Sequence, residues 1–257
     1  MEPAHNPNLA LLELAVSRLG DLADEFVFLG GCVTGLLIDD AAAPPIRETI
    51  DVDVIVQVLS RREYYALAER LRKQGFSEDT SDDAPVCRWR NGCVILDVMP
   101  ADPAILGFGN AWYAAAMENA DKIQLPNGRL IRIVSPPFFL ITKLEAFDGR
   151  GHGDYQMSHD IEDVVAVIDG RSTIIDEVRD APQSLCEALS DIFQEILGDA
   201  RFVDAVYGHM PTDEASQARV PFILERIKQI ANATSDRHRA DSKTDNQPKN
   251  KKPPGHP

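Results

Sequence analysis

The sequence has no long hydrophobic run, and this absence argues against a membrane protein. Every uninterrupted apolar stretch is far shorter than the roughly 20 residues that span a bilayer. The opening residues also lack the basic segment and apolar stretch of a secretion signal. Apolar residues nevertheless make up 44% of the 257 residues, which is enough for a substantial core. We therefore expect a folded cytoplasmic protein.

Cysteines are few and scattered, which argues against a thiolate metal site. Cys32, Cys87, Cys93 and Cys186 have none of the paired spacings that such sites use. Cys87 and Cys93 fit cross-strand neighbours, but buried, reduced thiols are the usual state of cysteines in a chain of this length. We expect four free thiols.

Cationic residues are scarce, and this argues against broad, nonspecific binding of nucleic acid. The 26 Lys and Arg residues stand against 41 Asp and Glu, which gives a net charge of -15, whereas such binding requires a cationic surface. Residues 235–257 differ, with six Lys or Arg against three Asp and no aliphatic side chain larger than alanine. We predict a disordered basic tail there, either solvated or docked on an anionic partner.

Hydrophobic periodicity and turn signals predict an α+β protein, with a mixed β-sheet core, flanking helices and a helical C-terminal region. Strands are predicted over residues 26–29, 52–58, 86–90, 93–99, 122–125 and 129–134. Helices are predicted over residues 8–19, 33–38, 60–73, 136–147, from 159, 180–197, 200–207 and 214–230. Asn8 and Ser60 are the predicted N-caps, and Asn91-Gly92 and Asn127-Gly128 the hairpin turns. These elements define an α/β core over residues 1–135 and a helical region over 136–234 that completes its cleft.

Two aspartates share one face of the second predicted strand. Because side chains alternate along a strand, Asp51 and Asp53 point the same way and repel each other unless a cation lies between them. Magnesium is such a cation, since it typically takes one or two protein carboxylates together with substrate phosphates. The alternative is a solvated strand end without function.

A third carboxylate, Asp97, lies in the otherwise apolar run Val94 to Met99. An acid in such a run is costly to bury unless it is paired, hydrogen-bonded or bound to a metal, although an edge strand would expose it to solvent. If the two strands are neighbours, the three carboxylates have the arrangement that holds two metal ions about 4 Å apart.

A Gly-Gly pair joins the first predicted strand to a helix. The absence of side chains at Gly30 and Gly31 lets backbone amides approach a ligand, and a helix N-terminus favours phosphate. Most Gly-Gly pairs are simple turns, but a strand, a Gly-Gly turn, a helix and then an Asp-x-Asp strand form a more specific pattern.

Together these motifs resemble the DNA polymerase beta-like nucleotidyltransferase superfamily. The resemblance comprises Gly30-Gly31, the segment Arg47-Glu48-Thr49-Ile50-Asp51-Val52-Asp53 and Asp97. The closer similarity is to the AbiEii-like nucleotidyltransferases of abortive-infection toxin–antitoxin systems, which add a later helix with a lysine. Here the segment from Pro136 to Asp163, with Lys143, looks like that part. The resemblance covers roughly residues 26–169.

The resemblance implies a metal centre with two Mg²⁺ ions, for which Mn²⁺ can substitute. Asp51, Asp53 and Asp97 would be the metal ligands, and Asp97 is also the candidate base. Gly30 and Gly31 would cradle the triphosphate of a nucleotide.

The remaining nucleotide-binding candidates implied by the resemblance are Arg47, Lys143 and Asp160, with Lys143 paired to the triphosphate and Asp160 orienting Lys143. The sequence departs from the family at two positions. Cys32 replaces a serine of the phosphate loop, for which the hydroxyl of Thr34 is a candidate substitute. His159 stands where an arginine commonly precedes the late aspartate.

Several other residues have a structural as well as a functional interpretation. Arg88 and Arg90 either contact an acceptor near Asp97 or are simply exposed. The aromatic residues Trp89, Trp112 and Tyr113 favour packing over base stacking, and His152 and His159 lack the further ligands of a zinc site.

The sequence thus predicts an enzyme that transfers a nucleoside monophosphate from a nucleoside triphosphate to an acceptor and releases pyrophosphate. RNA, a protein and a small molecule all remain open as the acceptor. The resemblance also implies a toxin–antitoxin or phage-defence role with a cognate antitoxin protein. The alternative is a catalytically inactive binding or assembly module with the same fold.

Overall fold

The computed structural model describes residues 6–150 and 153–234. The predicted basic tail and His152 lie outside the described residues. Over the described part, the predicted α+β class is confirmed: a mixed seven-stranded sheet with flanking helices is followed by a helical region.

The sheet has the strand order β3-β4-β5-β2-β1-β7-β6. Its strands are β1 (Phe26–Leu29), β2 (Asp51–Val56), β3 (Ser77–Glu78), β4 (Arg88–Asn91), β5 (Val94–Pro100), β6 (Asp121–Gln124) and β7 (Leu130–Ile133). Strand β2 runs parallel to β5 and antiparallel to β1, and β1 runs parallel to β7. The remaining neighbours are antiparallel pairs. The apolar and β-branched strand β2 therefore lies at the centre of the sheet, between β5 and β1.

Helices flank this sheet and form most of the chain that follows it. They are α1 (Leu9–Leu19), α2 (Thr34–Leu37), α3 (Arg61–Lys73), α4 (Tyr113–Glu118), α5 (Pro136–Arg150), α6 (His159–Gly170), α7 (Ile174–Asp180), α8 (Gln183–Leu197), α9 (Ala200–His209), α10 (Glu214–Gln217) and α11 (Val220–Ala231). Short 3-10 turns precede β1 and α2. The described helices include none that is both long and apolar enough to cross a membrane.

Local capping explains several helix ends. The side chain of Ser60 accepts a hydrogen bond from the backbone N–H of Glu63, which confirms the predicted cap of α3. Asn8 is the N-cap residue of α1, as predicted, but its side chain makes no capping bond. The helix predicted over residues 180–197 is α8, which begins after Pro182, and the preceding helix α7 was not predicted.

The predicted hairpin of β4 and β5 is present with its turn displaced by one residue. Asn91 pairs with Val94, so the turn residues are Gly92 and Cys93 rather than Asn91 and Gly92. Gly92 has a positive φ of 61°, which the turn requires. All four cysteines are free thiols, as predicted, and Cys93 is exposed while Cys87 is buried.

One hydrophobic cluster runs through the sheet and the C-terminal helices. It contains Phe28 of β1, Val54 of β2 and Phe139 of α5 together with Phe193 of α8 and Ile227 of α11, all fully buried. Burial of apolar surface is the main stabilising term of a fold, so the sheet and the helical region stabilise each other.

Candidate active site

Three aspartates lie on one face of the sheet, where β2 and β5 run side by side. Asp53 is paired in register with Asp97, so these two side chains project from adjacent strands toward the same side. Asp51 precedes Asp53 by two residues and shares its face, whereas Val52 between them is fully buried on the other side. The fold therefore brings together the three carboxylates that the sequence singled out.

A guanidinium lies among these carboxylates. Arg88 of β4 is directly opposite Asp97, and its Nε and Nη2 donate hydrogen bonds to Asp97 Oδ1 (2.8 Å) and Oδ2 (2.7 Å). Its Nη2 also donates to Asp51 Oδ2 at 3.2 Å. The bonds to Asp97 hold the pKa of Arg88 above its usual value. Arg88 is thus ion-paired inside the site, whereas Arg90 is exposed and bonds Asp79 (2.6 Å).

The carboxylate of Asp53 packs directly against the Gly-Gly turn. Gly30 has a φ of 73°, and a Cβ atom at this position would lie 2.0 Å from Asp53 Oδ2. Burial, and next the charge of Asp51, raise the pKa of Asp53 to about 7. The close approach explains why residue 30 has no side chain, and the raised pKa shows that the protein's own cations only partly offset the burial and repulsion at Asp53.

Asn8 fixes the Gly-Gly turn to the segment before β2. Its Nδ2 donates to the carbonyl oxygens of Gly31 and Arg47, both at 3.1 Å, and its Oδ1 accepts from the N–H of Thr49 (2.9 Å). Thr49 Oγ1 in turn donates to Asp51 Oδ1 at 2.8 Å. A buried asparagine with all these partners satisfied gives the turn and the first aspartate a fixed relation.

A chain of alternating charges forms a second part of the site. Lys143 Nζ of α5 contacts Asp163 Oδ2 (2.7 Å) and Asp160 Oδ1 (3.1 Å), both on α6. Arg47 Nε and Nη2 bond the two oxygens of Asp163 (3.1 and 2.8 Å), and the guanidinium of Arg150 bonds Asp160. Burial opposes the charge of Lys143, but the two carboxylates outweigh it and raise its pKa. Arg47, Lys143 and Arg150 are therefore held as cations.

The cations of this second part act electrostatically on the group of three aspartates. The charges of Lys143 and Arg150 each lower the pKa of Asp53, against the effect of burial. The lysine predicted to pair with a triphosphate and the aspartates predicted to hold a metal thus act on the same region of space. Asp160 contacts Lys143, as the orienting role in the prediction requires.

Three further predicted positions have side chains that form no hydrogen bond with these charged side chains in the described part of the chain. The side chain of Thr34 is buried, and its Oγ1 has no hydrogen-bond partner among the described residues. The Cys32 thiol is also buried, donates to the carbonyl of Leu29 (3.1 Å), and has its pKa raised by burial. His159 is exposed and its Nδ1 pairs with Glu162 (3.1 Å).

The donor set suits a cation held by two carboxylates. Within the described ranges, no group of three or more His, Cys, Asp or Glu side chains is arranged to hold a metal ion. Both oxygens of Asp97 already accept hydrogen bonds from Arg88. Asp51 and Asp53 remain as a pair beside the glycine turn. Magnesium commonly binds to one or two carboxylates and completes its shell with water and substrate phosphates. The two carboxylates fit that ion.

A cleft of about 420 Å³ adjoins the charged chain. Arg47 and Asp163 form part of its wall, and the segment 43–46 and the loop 208–212 form others. The cleft therefore opens on the Arg47 side of the charged chain, and its described lining includes none of Asp51, Asp53 and Asp97.

Asn8 and Asp163 are parts of the site that the sequence analysis did not identify as such. Asn8 fits the local pattern of an N-cap, and that pattern does not indicate its contacts with residues 23 to 41 positions away along the chain. Asp163 had a readable signal, because it lies three residues after Asp160 and so on the same face of α6.

Of the comparisons with known proteins, the one with solved structures gave a match. No protein-family model and no curated protein matches the sequence. Among solved structures, the chain is similar to an antigenic nucleotidyltransferase-like protein from Paracoccidioides brasiliensis, with 18% identity and a TM-score of 0.44. The match covers 79% of this chain and 94% of the other.

Proposed function

We propose that the protein is a metal-dependent nucleotidyltransferase that transfers a nucleoside monophosphate from a nucleoside triphosphate to an acceptor and releases pyrophosphate. The observation that carries the proposal is the Asp51–Asp53 pair on one strand face, packed against the Gly30-Gly31 turn and beside Asp97. The sequence resemblance to nucleotidyltransferases supports the same assignment.

In this proposal the chain acts by positioning and by neutralising charge, as is general for phosphoryl-type transfer. Asp51 and Asp53 hold Mg²⁺, or Mn²⁺ in its place, and the ion would neutralise charge on the phosphates. The backbone at Gly30 and Gly31 offers the triphosphate a surface without side chains.

The cations beyond the turn would attract and orient the triphosphate. Lys143 is held by Asp160 and Asp163, so its ammonium group has a fixed place without side-chain reorganisation. Arg47 and Arg150 extend the positive charge on either side of it. Both oxygens of Asp97 already accept hydrogen bonds from Arg88, so an acceptor hydroxyl would have to give its proton to one of their remaining lone pairs.

The acceptor is RNA, a protein or a small molecule, and the experiment below separates the three. A role as the toxin of a toxin–antitoxin pair, with an antitoxin protein that masks the site, belongs to the same proposal and rests on the sequence resemblance.

The test is transfer of label from α-labelled ATP, GTP, CTP and UTP into cell extract in the presence of Mg²⁺. We expect incorporation with the wild-type protein and its loss in Asp51→Asn/Asp53→Asn. The matched control is Asp82→Asn/Asp83→Asn, which removes two neighbouring carboxylates that are exposed in a loop. Label that disappears with nuclease identifies RNA as the acceptor, label that disappears with protease identifies protein, and resistance to both identifies a small molecule.

The second candidate is a catalytically inactive module that binds a partner. The pairing of Arg88 with Asp97 and Asp51 favours it, because an internal cation already neutralises part of the acidic site. This candidate predicts no label transfer and no Mg²⁺-dependent rise in melting temperature with any of the four triphosphates. A Mg²⁺-dependent rise that Asp53→Asn abolishes would contradict it.

A further inference from the structure

We infer that Arg88 takes the place of a second metal ion, so that the site binds one divalent ion on Asp51 and Asp53 and none on Asp97. The inference rests on the proposed function, because it specifies the metal content of the same site. It replaces the expected two metal ions with one, and an experiment can count them.

The first argument is the direction of the carboxylate lone pairs. Asp97 accepts from Arg88 at both of its oxygens, at 2.8 and 2.7 Å, in a two-pronged geometry. This pairing leaves one lone pair on each oxygen, and a metal bound there would lie beside the positively charged guanidinium, which repels it. The pairing is also built into the fold, since Arg88 and Asp97 are direct cross-strand partners in a tight hairpin.

The second argument is the position of the guanidinium between two strands. Nη2 of Arg88 bonds Asp97 Oδ2 at 2.7 Å and Asp51 Oδ2 at 3.2 Å, so one nitrogen bridges the two carboxylates. A metal ion held by Asp97 and Asp51 together would need the space between these two carboxylates, and the guanidinium occupies that space.

The third argument is the charge of the site. Asp51, Asp53 and Asp97 contribute three negative charges and Arg88 one positive charge, and the three cations of the second part exceed its two carboxylates by one positive charge. One divalent ion therefore brings the site close to neutral, whereas two ions would leave a large excess of positive charge before the triphosphate arrives. An oxygen of Asp53 lies against Gly30, and Asp53 receives no hydrogen bond from Arg88. The negative charge that Arg88 does not compensate is therefore on the Asp51–Asp53 side.

The test is the number of Mn²⁺ ions bound by the full chain, read by electron paramagnetic resonance. Mn²⁺ is added with a non-hydrolysable α,β-methylene analogue of ATP, GTP, CTP and UTP in turn. Two ions about 4 Å apart give a spin-coupled spectrum, whereas a single ion gives an uncoupled one. We expect one uncoupled ion per chain for the wild type, and a second, coupled ion in Arg88→Met. Arg88→Met/Asp97→Asn should return to one ion, because the freed carboxylate is gone.

The matched control is Arg90→Met, which removes a guanidinium from the same strand and should leave the count at one. Circular dichroism checks folding, and if Arg88→Met does not fold, Arg88→Ala likewise removes both the charge and the hydrogen bonds to Asp97. A coupled pair in the wild type, or a single ion in folded Arg88→Met or Arg88→Ala, would overturn the inference and leave the proposed function standing. No bound ion in the wild type would overturn the metal-dependent function as well.

Discussion

At the scale of single residues, Gly30 shows how closely the turn and the carboxylate pair are fitted. Its φ of 73° disfavours a side chain, and a Cβ atom there would lie only 2.0 Å from Asp53 Oδ2. Gly30→Ala must therefore distort the backbone or displace Asp53. We expect it to destabilise the protein by roughly 1–3 kcal/mol from backbone strain alone, and to abolish Mg²⁺-dependent nucleotide binding as well.

The control for this prediction is Gly128→Ala. Gly128 also has a positive φ, of 85°, but nothing lies within 4 Å of its missing Cβ. In urea unfolding, Gly128→Ala should lose about as much stability as Gly30→Ala. It should nevertheless keep nucleotide binding, which thermal shift measures. Equal binding by both variants would contradict the close fit of Gly30 and Asp53.

The pKa of Asp53 predicts how the metal-free protein responds to pH. Burial and the charge of Asp51 raise it from 3.8 to about 7, so the folded state holds the proton more tightly than the unfolded chain. The resulting stabilisation is complete below the unfolded pKa and is lost as the pH rises through about 7. The free energy of unfolding of Asp53→Asn, relative to wild type, should therefore increase with pH by up to about 4 kcal/mol.

Urea unfolding in EDTA at about pH 4 and about pH 8 measures this difference. Adding Mg²⁺ at the higher pH should stabilise the wild type and leave Asp53→Asn unchanged, because the ion replaces the lost proton. If the difference in free energy of unfolding between Asp53→Asn and the wild type stays constant with pH, the pKa of Asp53 is not raised.

At the scale of the elements, the β4–β5 hairpin shows what the sequence could and could not specify. Alternation along the strands predicts that Arg88 and Asp97 share a face, and they do. A turn at Asn91-Gly92 would have paired Arg88 with Ile95, whereas the observed turn pairs it with Asp97. Moving the turn by one residue moves the partner of Arg88 by two residues along β5, so the partner stays on the same face of the sheet. The sequence therefore predicted the face but not the ion pair.

Long-range polar contacts were the other feature that local patterns did not reveal. Asn8 resembles an N-cap because that role depends only on the residues that follow it, yet its side chain bonds Gly31, Arg47 and Thr49. Lys143 lies in a helix whose sequence fits a solvated lysine, yet α6 covers it with Asp160 and Asp163. Both outcomes depend on which elements pack together, and periodicity does not encode that.

The ion chain between α5 and α6 gives a prediction at the same scale. Asp163 is almost fully buried and balances both Lys143 and Arg47, so Asp163→Asn leaves two cations without their shared partner. We expect a loss of about 3–5 kcal/mol in the free energy of unfolding, the usual result of breaking a buried pair from one side. Urea unfolding measures it.

The matched control is Glu162→Gln, one residue earlier on α6. Glu162 pairs with the exposed His159, and such surface pairs contribute at most about 1 kcal/mol. A loss in Asp163→Asn no greater than in Glu162→Gln would mean that the network does not join α5, α6 and the segment before β2.

At the scale of the whole molecule, the sheet and the helical region share one hydrophobic cluster and several polar contacts. The carbonyl of Gly170, at the end of α6, accepts from the N–H groups of Asp39 and Asp40 (3.0 and 2.9 Å). Arg219 joins Asp40 to Asp169, and Arg171 donates to the carbonyl of Leu37. The boundary predicted at residue 135 is thus a change of secondary structure crossed by continuous packing.

This packing predicts a single cooperative unfolding transition, because neither part keeps its core when the other unfolds. In Trp112→Phe, the remaining Trp89 lies buried in β4 and reports on the sheet, while far-UV circular dichroism reports mainly on the helices. The two signals should give the same midpoint in urea. Mg²⁺ with a bound triphosphate should raise both midpoints equally, since a ligand held between the β2 carboxylates and Lys143 of α5 stabilises the whole cooperative unit. Two separate midpoints, or a ligand shift in only the fluorescence signal, would instead make the helical region an independent domain that takes no part in binding.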